Sequence, residues 1–130
     1  MSKRIIGRSQ KDLINLANKN QTKYKNSEPY PHIIFKNFFN KEFLDEVLKE
    51  FPDLSKSKFS MKYANKNEVK FANNDKKNFK KNTKLLFQYL NSSKFLKFIK
   101  KISSIKEKIL ADQTLSGGGL HEIKKGGVLK

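Results

Sequence analysis

The chain has 130 residues, no cysteine and a formal net charge of +17. This length suits a single domain, which can bury about two-thirds of the surface of its unfolded chain. The lack of cysteine excludes disulfides and thiol chemistry. No apolar run predicts a secretory signal, and none approaches the roughly 18 residues of a membrane helix. We therefore expect a cytoplasmic protein with no membrane partner.

The charge alone suggests nucleic-acid binding, but the type of basic residue argues against it. Only Arg4 and Arg8 are arginines, and the lysines are spread along the whole chain. Arginine is the residue that favours bidentate recognition of bases and phosphates. We interpret most of the charge as a solvated lysine surface. A lysine-rich module that binds nucleic acid or another polyanion is kept as the alternative function.

Residues 1–28 are polar and basic, and they predict an N-terminal arm with one short helix. Ser9 is a suitable N-cap for that helix. Its apolar residues would be Leu13, Ile14, Leu16 and Ala17. Residues 18–26 predict a linker, so that residues 29–130 form the main domain.

Residues 29–52 predict a strand followed by a helix. Two prolines precede His32–Lys36, whose β-branched and aromatic residues are typical of a strand. Asn40 is a suitable N-cap for an amphipathic helix, and Pro52 stops it. The apolar stripe of this helix is Phe43, Leu44, Val47, Leu48 and Phe51.

Residues 53–78 are polar and predict a long loop with a short strand near Val69. Helical spacing of apolar residues then runs from Phe79 to Leu90. Ser92 or Ser93 is a suitable cap for a second helix. The apolar residues of that helix are Phe95, Leu96, Phe98, Ile99 and Ile102, and the helical region is expected to close with Ile105, Ile109 and Leu110.

From Thr114 onwards the pattern becomes strand-like. Leu120–Ile123 and Val128–Leu129 predict two strands, and Gly126–Gly127 predicts the turn or bulge between them. The order of strand, helix, loop, helices and strands is typical of an α+β fold in which helices back a sheet.

Few residues in the chain are candidates for catalysis. The two histidines, His32 and His121, are far apart in sequence and have no cysteine or spaced carboxylates around them, so no metal site is predicted within the chain. No nucleophile elbow or P-loop occurs. Gly117–Gly119 is not followed by a helical pattern, which a phosphate-binding loop requires. These glycines instead predict a bulge or a close backbone approach at the start of a strand.

The segment Gly117–Lys130 resembles the approach to the iron site of 2-oxoglutarate/Fe(II) dioxygenases of the prolyl 4-hydroxylase-like type. In a bacterial and phage-like branch of that family, Gly-Gly-Gly-Leu-His-Gln/Glu, two basic residues and Gly-Gly lead into Leu-Lys-x-His-x-Asp. Three other segments match the family in the same order, so that the resemblance covers residues 12–130. They are Asp12–Asn15, Tyr30–Ile34 with Asn37–Phe39, and Asn91–Leu96.

The resemblance implies a double-stranded β-helix, or jelly roll, with N-terminal helices packed against it. This chain would hold the helical support region and the first strands of an incomplete barrel. The family binds Fe(II) through a His-x-Asp pair and a distant second histidine, because residues i and i+2 of a strand share a face. By this pattern the first metal ligand falls just after Lys130. We therefore expect an N-terminal fragment that is inactive alone and binds no cofactor.

The parent protein would be an enzyme with Fe(II) and 2-oxoglutarate as cofactors and ascorbate as a further candidate. It would couple oxidative decarboxylation of 2-oxoglutarate by O2 to hydroxylation of a prolyl, other peptidyl or small-molecule substrate. His121 is the one candidate pocket residue, and our hypothesis is that it faces the cofactor or the substrate. The alternative for His121 is a hydrogen-bonded histidine at a strand edge. His32 opens a strand beside two prolines, which favours a structural role.

Overall fold

The computed structural model describes residues 2–129. Five α-helices, one 3-10 helix and three strands lie in this range. In chain order they are α1 (Ser2–Ile6), α2 (Gln10–Lys25), α3 (Lys41–Glu50), β1 (Met61–Ala64), β2 (Val69–Asn73), the 3-10 helix (Lys76–Asn78), α4 (Lys81–Leu90), α5 (Ser93–Ser103) and β3 (Leu120–Glu122). Among these described residues, no helix combines the length and the apolar character needed to cross a lipid bilayer.

Helix α2 begins at a capping box, as the sequence predicts. The Ser9 hydroxyl accepts from the Asp12 N–H at 3.1 Å, and the Asp12 carboxylate accepts from the Ser9 N–H at 3.2 Å. The prediction that residues 18–26 form a linker is wrong, because the helix continues to Lys25. Leu16 and Tyr24 pack against the helical core and give this polar stretch its apolar anchors.

The strand predicted at His32–Lys36 is not formed. The segment is extended chain, and it pairs with none of the strands in residues 2–129. Ile33 and Phe35 pack against the helical core, whereas Ile34 is 80% exposed. The alternation that predicts a strand is therefore used for packing against helices instead of β pairing.

Helix α3 forms where it is predicted and ends just before Pro52. Asn40 precedes it, but its side chain makes no cap on α3. Instead, Asn40 Nδ2 donates to the carbonyl oxygens of Lys3 and Arg4 at 2.8 Å each, which satisfies the end of α1. The apolar stripe is only partly covered: Phe43 is buried, but Leu48 is 71% exposed.

The long loop predicted for residues 53–78 contains a β-hairpin and a 3-10 helix. The prediction of a strand near Val69 is confirmed, and residues 53–60 form a loop as predicted. The prediction is wrong for β1 and for the 3-10 helix, which it treated as loop. At the tip of the hairpin, the Asn65 side-chain oxygen accepts from the N–H groups of Asn67 and Glu68. All four residues of β1 are exposed, so neither face of this strand is buried.

Helices α4 and α5 follow the predicted order. The Ser92 hydroxyl accepts from the Phe95 N–H at 3.3 Å and caps α5. α5 ends at Ser103, and Ser104 takes the left-handed conformation with φ 58°. The prediction that Ile105, Ile109 and Leu110 close the helical region is wrong, because they lie in non-helical chain beyond this break.

Two separate hydrophobic cores hold the fold together. The helical core lies between the five helices α1 to α5, and its buried residues are Ile5, Ile6, Leu13, Ala17, Phe43, Tyr89, Phe98 and Ile102. The smaller sheet core lies under one face of the sheet, and its buried residues are Leu54, Phe79, Leu115 and Leu120.

The three strands form one antiparallel sheet in the order β1-β2-β3. Met61 lies opposite Ala72, and Ala72 lies opposite His121. The α+β class is therefore confirmed. A small antiparallel sheet is not a double-stranded β-helix, and that finer architecture stays a prediction.

Candidate functional site

The glycine run before β3 brings the chain into close contact with β2. Gly119 has φ 121°, and a Cβ at this position would lie 2.5 Å from the Asn73 carbonyl oxygen. Gly117 also has a positive φ, 74°, but a Cβ there would meet open space. The predicted close backbone approach at the start of a strand is confirmed, and Gly119 is the residue that makes it possible.

A second pair of glycines interrupts the edge of the sheet after β3. Gly126 has φ 82°, and the Gly127 N–H donates to the Lys124 carbonyl oxygen at 2.8 Å. A Cβ on Gly127 would lie 2.9 Å from the Val69 carbonyl oxygen. The predicted turn at these two glycines is confirmed.

After this turn the chain returns to the same edge of β2. The Val69 N–H donates to the Val128 carbonyl oxygen at 2.7 Å, and Leu129 forms a single antiparallel bridge with Glu68. The two strands predicted from the sequence therefore do not pair with each other. Both lie along β2, the first as β3 and the second as this bridge.

His121 lies on a face of the sheet that we call the open face. Residues opposite each other in neighbouring strands share a face, so His121 shares it with Ala72 and Met61. Side chains alternate along a strand, which places Tyr63 and Leu129 there as well. His121 is exposed to solvent on this face. Its role in a cofactor or substrate pocket stays a prediction.

The open face carries one compensated pair of charges. Lys70 Nζ lies 3.0 Å from a Glu68 carboxylate oxygen and 5.1 Å from the centroid of the Tyr63 ring. The ammonium group is thus neutralised by a carboxylate and held over an aromatic face. The surface beside this ion pair is largely apolar, and the exposed side chain of Met61 is part of it.

The opposite face of the sheet is covered by the sheet core. The carboxylate of Glu122 attaches this face to the loop after α3. This carboxylate accepts from the N–H groups of Leu54 at 2.8 Å and Ser55 at 3.3 Å. A hydrogen bond from Lys124 is the largest cause that lowers the pKa of Glu122. The Ser55 hydroxyl, and then Lys124, lower the pKa of Asp53 to about 2. These groups have partners and tie β3 to the loop after α3.

His32 lies in another part of the fold, in an apolar groove between α2, α5 and the extended chain before α3. His32 Nδ1 is 2.8 Å from the Tyr30 carbonyl oxygen, so this nitrogen donates to it. The hydrogen bond supports the structural role predicted for His32. The groove has a volume of ≈ 500 Å³, and its aromatic lining is Tyr24, Phe35, Phe38, Phe39, Phe95 and Phe98.

Sequence reasoning missed this aromatic groove. Its signal was the clustering of phenylalanines within residues 35–39 and 95–98. Helical spacing assigned the second cluster to α5, but no local pattern says that the two clusters meet.

Residues 2–129 do not fit the iron that the resemblance implies. No group of three or more histidine, cysteine, aspartate or glutamate side chains in this range could hold a metal ion. His32 and His121 belong to different parts of the fold and are not brought together. We therefore derive no chemical step through iron for these residues.

The chain matches no protein-family model, no curated protein and no solved structure at a significant level. Its function must therefore be argued from its own residues and their geometry.

Proposed function

We propose that this chain is the N-terminal part of an Fe(II)/2-oxoglutarate-dependent dioxygenase. The proposed substrate is a prolyl residue, another peptide residue or a small molecule. One observation carries the proposal: two glycines of the family-like segment, Gly119 and Gly127, lie where the neighbouring backbone leaves no room for a side chain. Gly119 and Gly127 both pass too close to β2 for a side chain. The segment that resembles the family therefore contains the glycines that let the outer strand β3 and the chain after it lie close against β2.

The sheet has room for the strands that this proposal requires. Within residues 2–129, β3 is an outer strand, and the open face exposes Met61, Tyr63 and His121 to solvent around the buried Ala72. Met61 on this face is 43% exposed. A double-stranded β-helix would add strands at the β3 edge and cover part of the open face.

The proposal places the metal ligands outside the described residues. A His-x-Asp pair just after Lys130 would supply two of them, as the family pattern implies. The residues of this chain would then support and orient the strand that carries the pair. Cofactor binding and turnover are properties of the longer protein.

The proposal is tested with the protein extended through the codons that follow Lys130. Fe(II) and 2-oxoglutarate are titrated into it without oxygen, and binding is followed by absorbance and calorimetry. We expect saturable, Fe(II)-dependent binding of 2-oxoglutarate. The chain ending at Lys130 is the matched control and is expected to bind neither. A stop codon after Lys130, the lack of a His-x-Asp pair there, or metal-independent binding would each contradict the proposal.

A further inference from the structure

Six lysines line three adjoining grooves on the surface made by α4, α5 and the chain after α5. The first groove shares Asn91 with the second, and the second shares Lys97 and Lys100 with the third. The grooves therefore adjoin one another, and Lys97 and Lys100 of α5 lie between the second and the third. We call this surface the lysine track, and its lysines are Lys76, Lys84, Lys97, Lys100, Lys101 and Lys108.

No aspartate or glutamate is among the residues that line the three grooves of the lysine track. Two exposed acidic residues, Glu107 and Asp112, are next in sequence to lining residues, and the Asp112 carboxylate accepts hydrogen bonds from Thr114. A groove beside α3 is mixed by comparison, with Arg4 facing Glu42 and Glu46. The ion pairs found within residues 2–129 use other lysines, namely Lys41, Lys49, Lys56, Lys70 and Lys124. Six of the 29 basic residues of the chain thus line one surface, a clustering that the even spread of lysine in the sequence does not reveal.

Local structure accounts for only part of this clustering. Lys100 and Lys101 lie in the last turn of α5, where the helix dipole favours a positive charge. Lys76, Lys84, Lys97 and Lys108 have no such role. Like charges in one region repel each other, so a polyanion that lies along the track would be attracted to all of them.

We propose that the lysine track binds the phosphodiester backbone of nucleic acid. The track is a row of adjoining grooves, along which a narrow chain of phosphates can lie, whereas a flat lipid surface does not enter them. Helix α5 has 11 residues and is therefore about 16 Å long. That length spans about five phosphates of one strand of duplex DNA.

The lining of the track predicts binding without sequence preference. It contains no arginine, and its one aromatic side chain, Phe87, is half-buried and packs against Phe79. Base stacking therefore has no exposed aromatic side chain, and no arginine fork is present to contact guanine. The uncharged amide side chains of the lining that could reach a base edge are Gln21, Gln88, Asn91 and Gln113, so lysine contacts to phosphates dominate the lining. The affinity would come from lysine–phosphate contacts and would fall steeply with salt. This proposal is independent of the dioxygenase proposal.

The test compares two variants that lose the same amount of charge. The track variant carries Lys84→Gln, Lys97→Gln, Lys100→Gln and Lys108→Gln. The control variant carries the same change at four exposed lysines outside the track: Lys19, Lys25, Lys36 and Lys66. Binding of a fluorescein-labelled 20-base-pair DNA is measured by anisotropy between about 50 and 200 mM salt.

We expect the track variant to lose at least about tenfold in affinity at the lower salt, and its salt slope to fall by about 3–4 for four lost contacts. The control variant should keep most of its affinity. Arginine at the same four track positions should restore binding, because the charge is restored. Circular dichroism and the Tm show that each variant is folded.

Equal losses of DNA affinity in the track and control variants would overturn the proposal, since they would show that the DNA is attracted by the overall charge of the protein. Failure of arginine to restore binding would also overturn it. Displacement of the DNA by phosphatidylserine vesicles, or by polyglutamate, at equal concentration of charge would instead assign the track to a membrane or to an acidic protein.

Discussion

The helical half and the sheet half of the molecule bury their apolar residues in different ways. In the helical half, α2 and α5 enclose a core from several sides, and four rings meet there: Phe35, Phe38, Phe95 and Phe98. In the sheet half, only one face of a three-stranded sheet is covered. The helical half buries its core on several sides but keeps the aromatic groove beside these rings, whereas the sheet is open on one face and at the β3 edge.

The largest expected effect on stability lies in the helical core. Phe98 is 3% exposed and contacts three other phenylalanine rings. Phe98→Ala should lower the free energy of unfolding by about 3–5 kcal/mol, because it removes a buried ring and leaves a cavity. Urea denaturation measures the change. Leu48→Ala on the exposed face of α3 is the control, and an equal loss there would show that the core is not where we place it.

Alanine substitutions of the two glycines before β3 should differ in how much they lower the stability of the protein. Gly119→Ala should destabilise the protein by about 1–3 kcal/mol more than Gly117→Ala, because only the first places a Cβ against the β2 backbone. Both positions have a positive φ, but 121° at Gly119 lies further from the left-handed helical region than 74° at Gly117, so backbone strain adds to the effect of the close approach. Hydrogen exchange of the β2 amides locates the effect. Equal destabilisation by the two variants would contradict the close approach.

Glu50 joins α3 to the start of α4 and should make stability depend on pH. Its carboxylate accepts from the backbone and side chain of both Asn82 and Thr83. Burial is the largest single effect and opposes ionisation, but these hydrogen bonds together outweigh it and lower the pKa of Glu50 below its ordinary value of 4.5.

The ionised form of Glu50 therefore stabilises the fold above about pH 4.5, and this stabilisation is lost as the pH falls through the lowered pKa. Glu50→Gln should cost about 1–2 kcal/mol at neutral pH, since a charge-assisted acceptor is lost. The difference between wild type and variant should shrink on acidification. Denaturation at several pH values measures it, and a constant difference would be the contrary result.

The smallest expected effect is on the open face of the sheet. His121 is exposed and, in the described part of the chain, makes no hydrogen bond through its side chain that would be lost. His121→Ala should therefore change the free energy of unfolding by less than about 0.5 kcal/mol. In the extended protein, the same variant should weaken 2-oxoglutarate binding or turnover if His121 lines the pocket. Unchanged affinity and turnover would remove His121 from the site.

The sequence was most informative where local chemistry decides the structure. The capping serines at Ser9 and Ser92 mark the starts of α2 and α5, and Pro52 marks the end of α3. The glycine pairs predicted the close approach and the turn around β3. In each case a side chain or a backbone conformation acts within a few residues, so a short pattern is enough.

The errors arose where distant contacts decide the structure. His32–Lys36 has the alternation of a strand but packs against helices, because no neighbouring strand is available within the described chain. β1 shows the opposite case. It forms a strand because it pairs with β2, although all its residues are exposed. The lysine track was hidden for the same reason, because the fold gathers lysines from residue 76 to residue 108.

The most direct test of the proposed function is succinate formation by the protein extended beyond Lys130. We expect it to release succinate from 2-oxoglutarate with Fe(II) and O2, even slowly and without the true substrate. The chain ending at Lys130 should release none under the same conditions. A folded, extended protein that binds Fe(II) but forms no succinate, with or without candidate prolyl peptides, would contradict the assignment to this enzyme class.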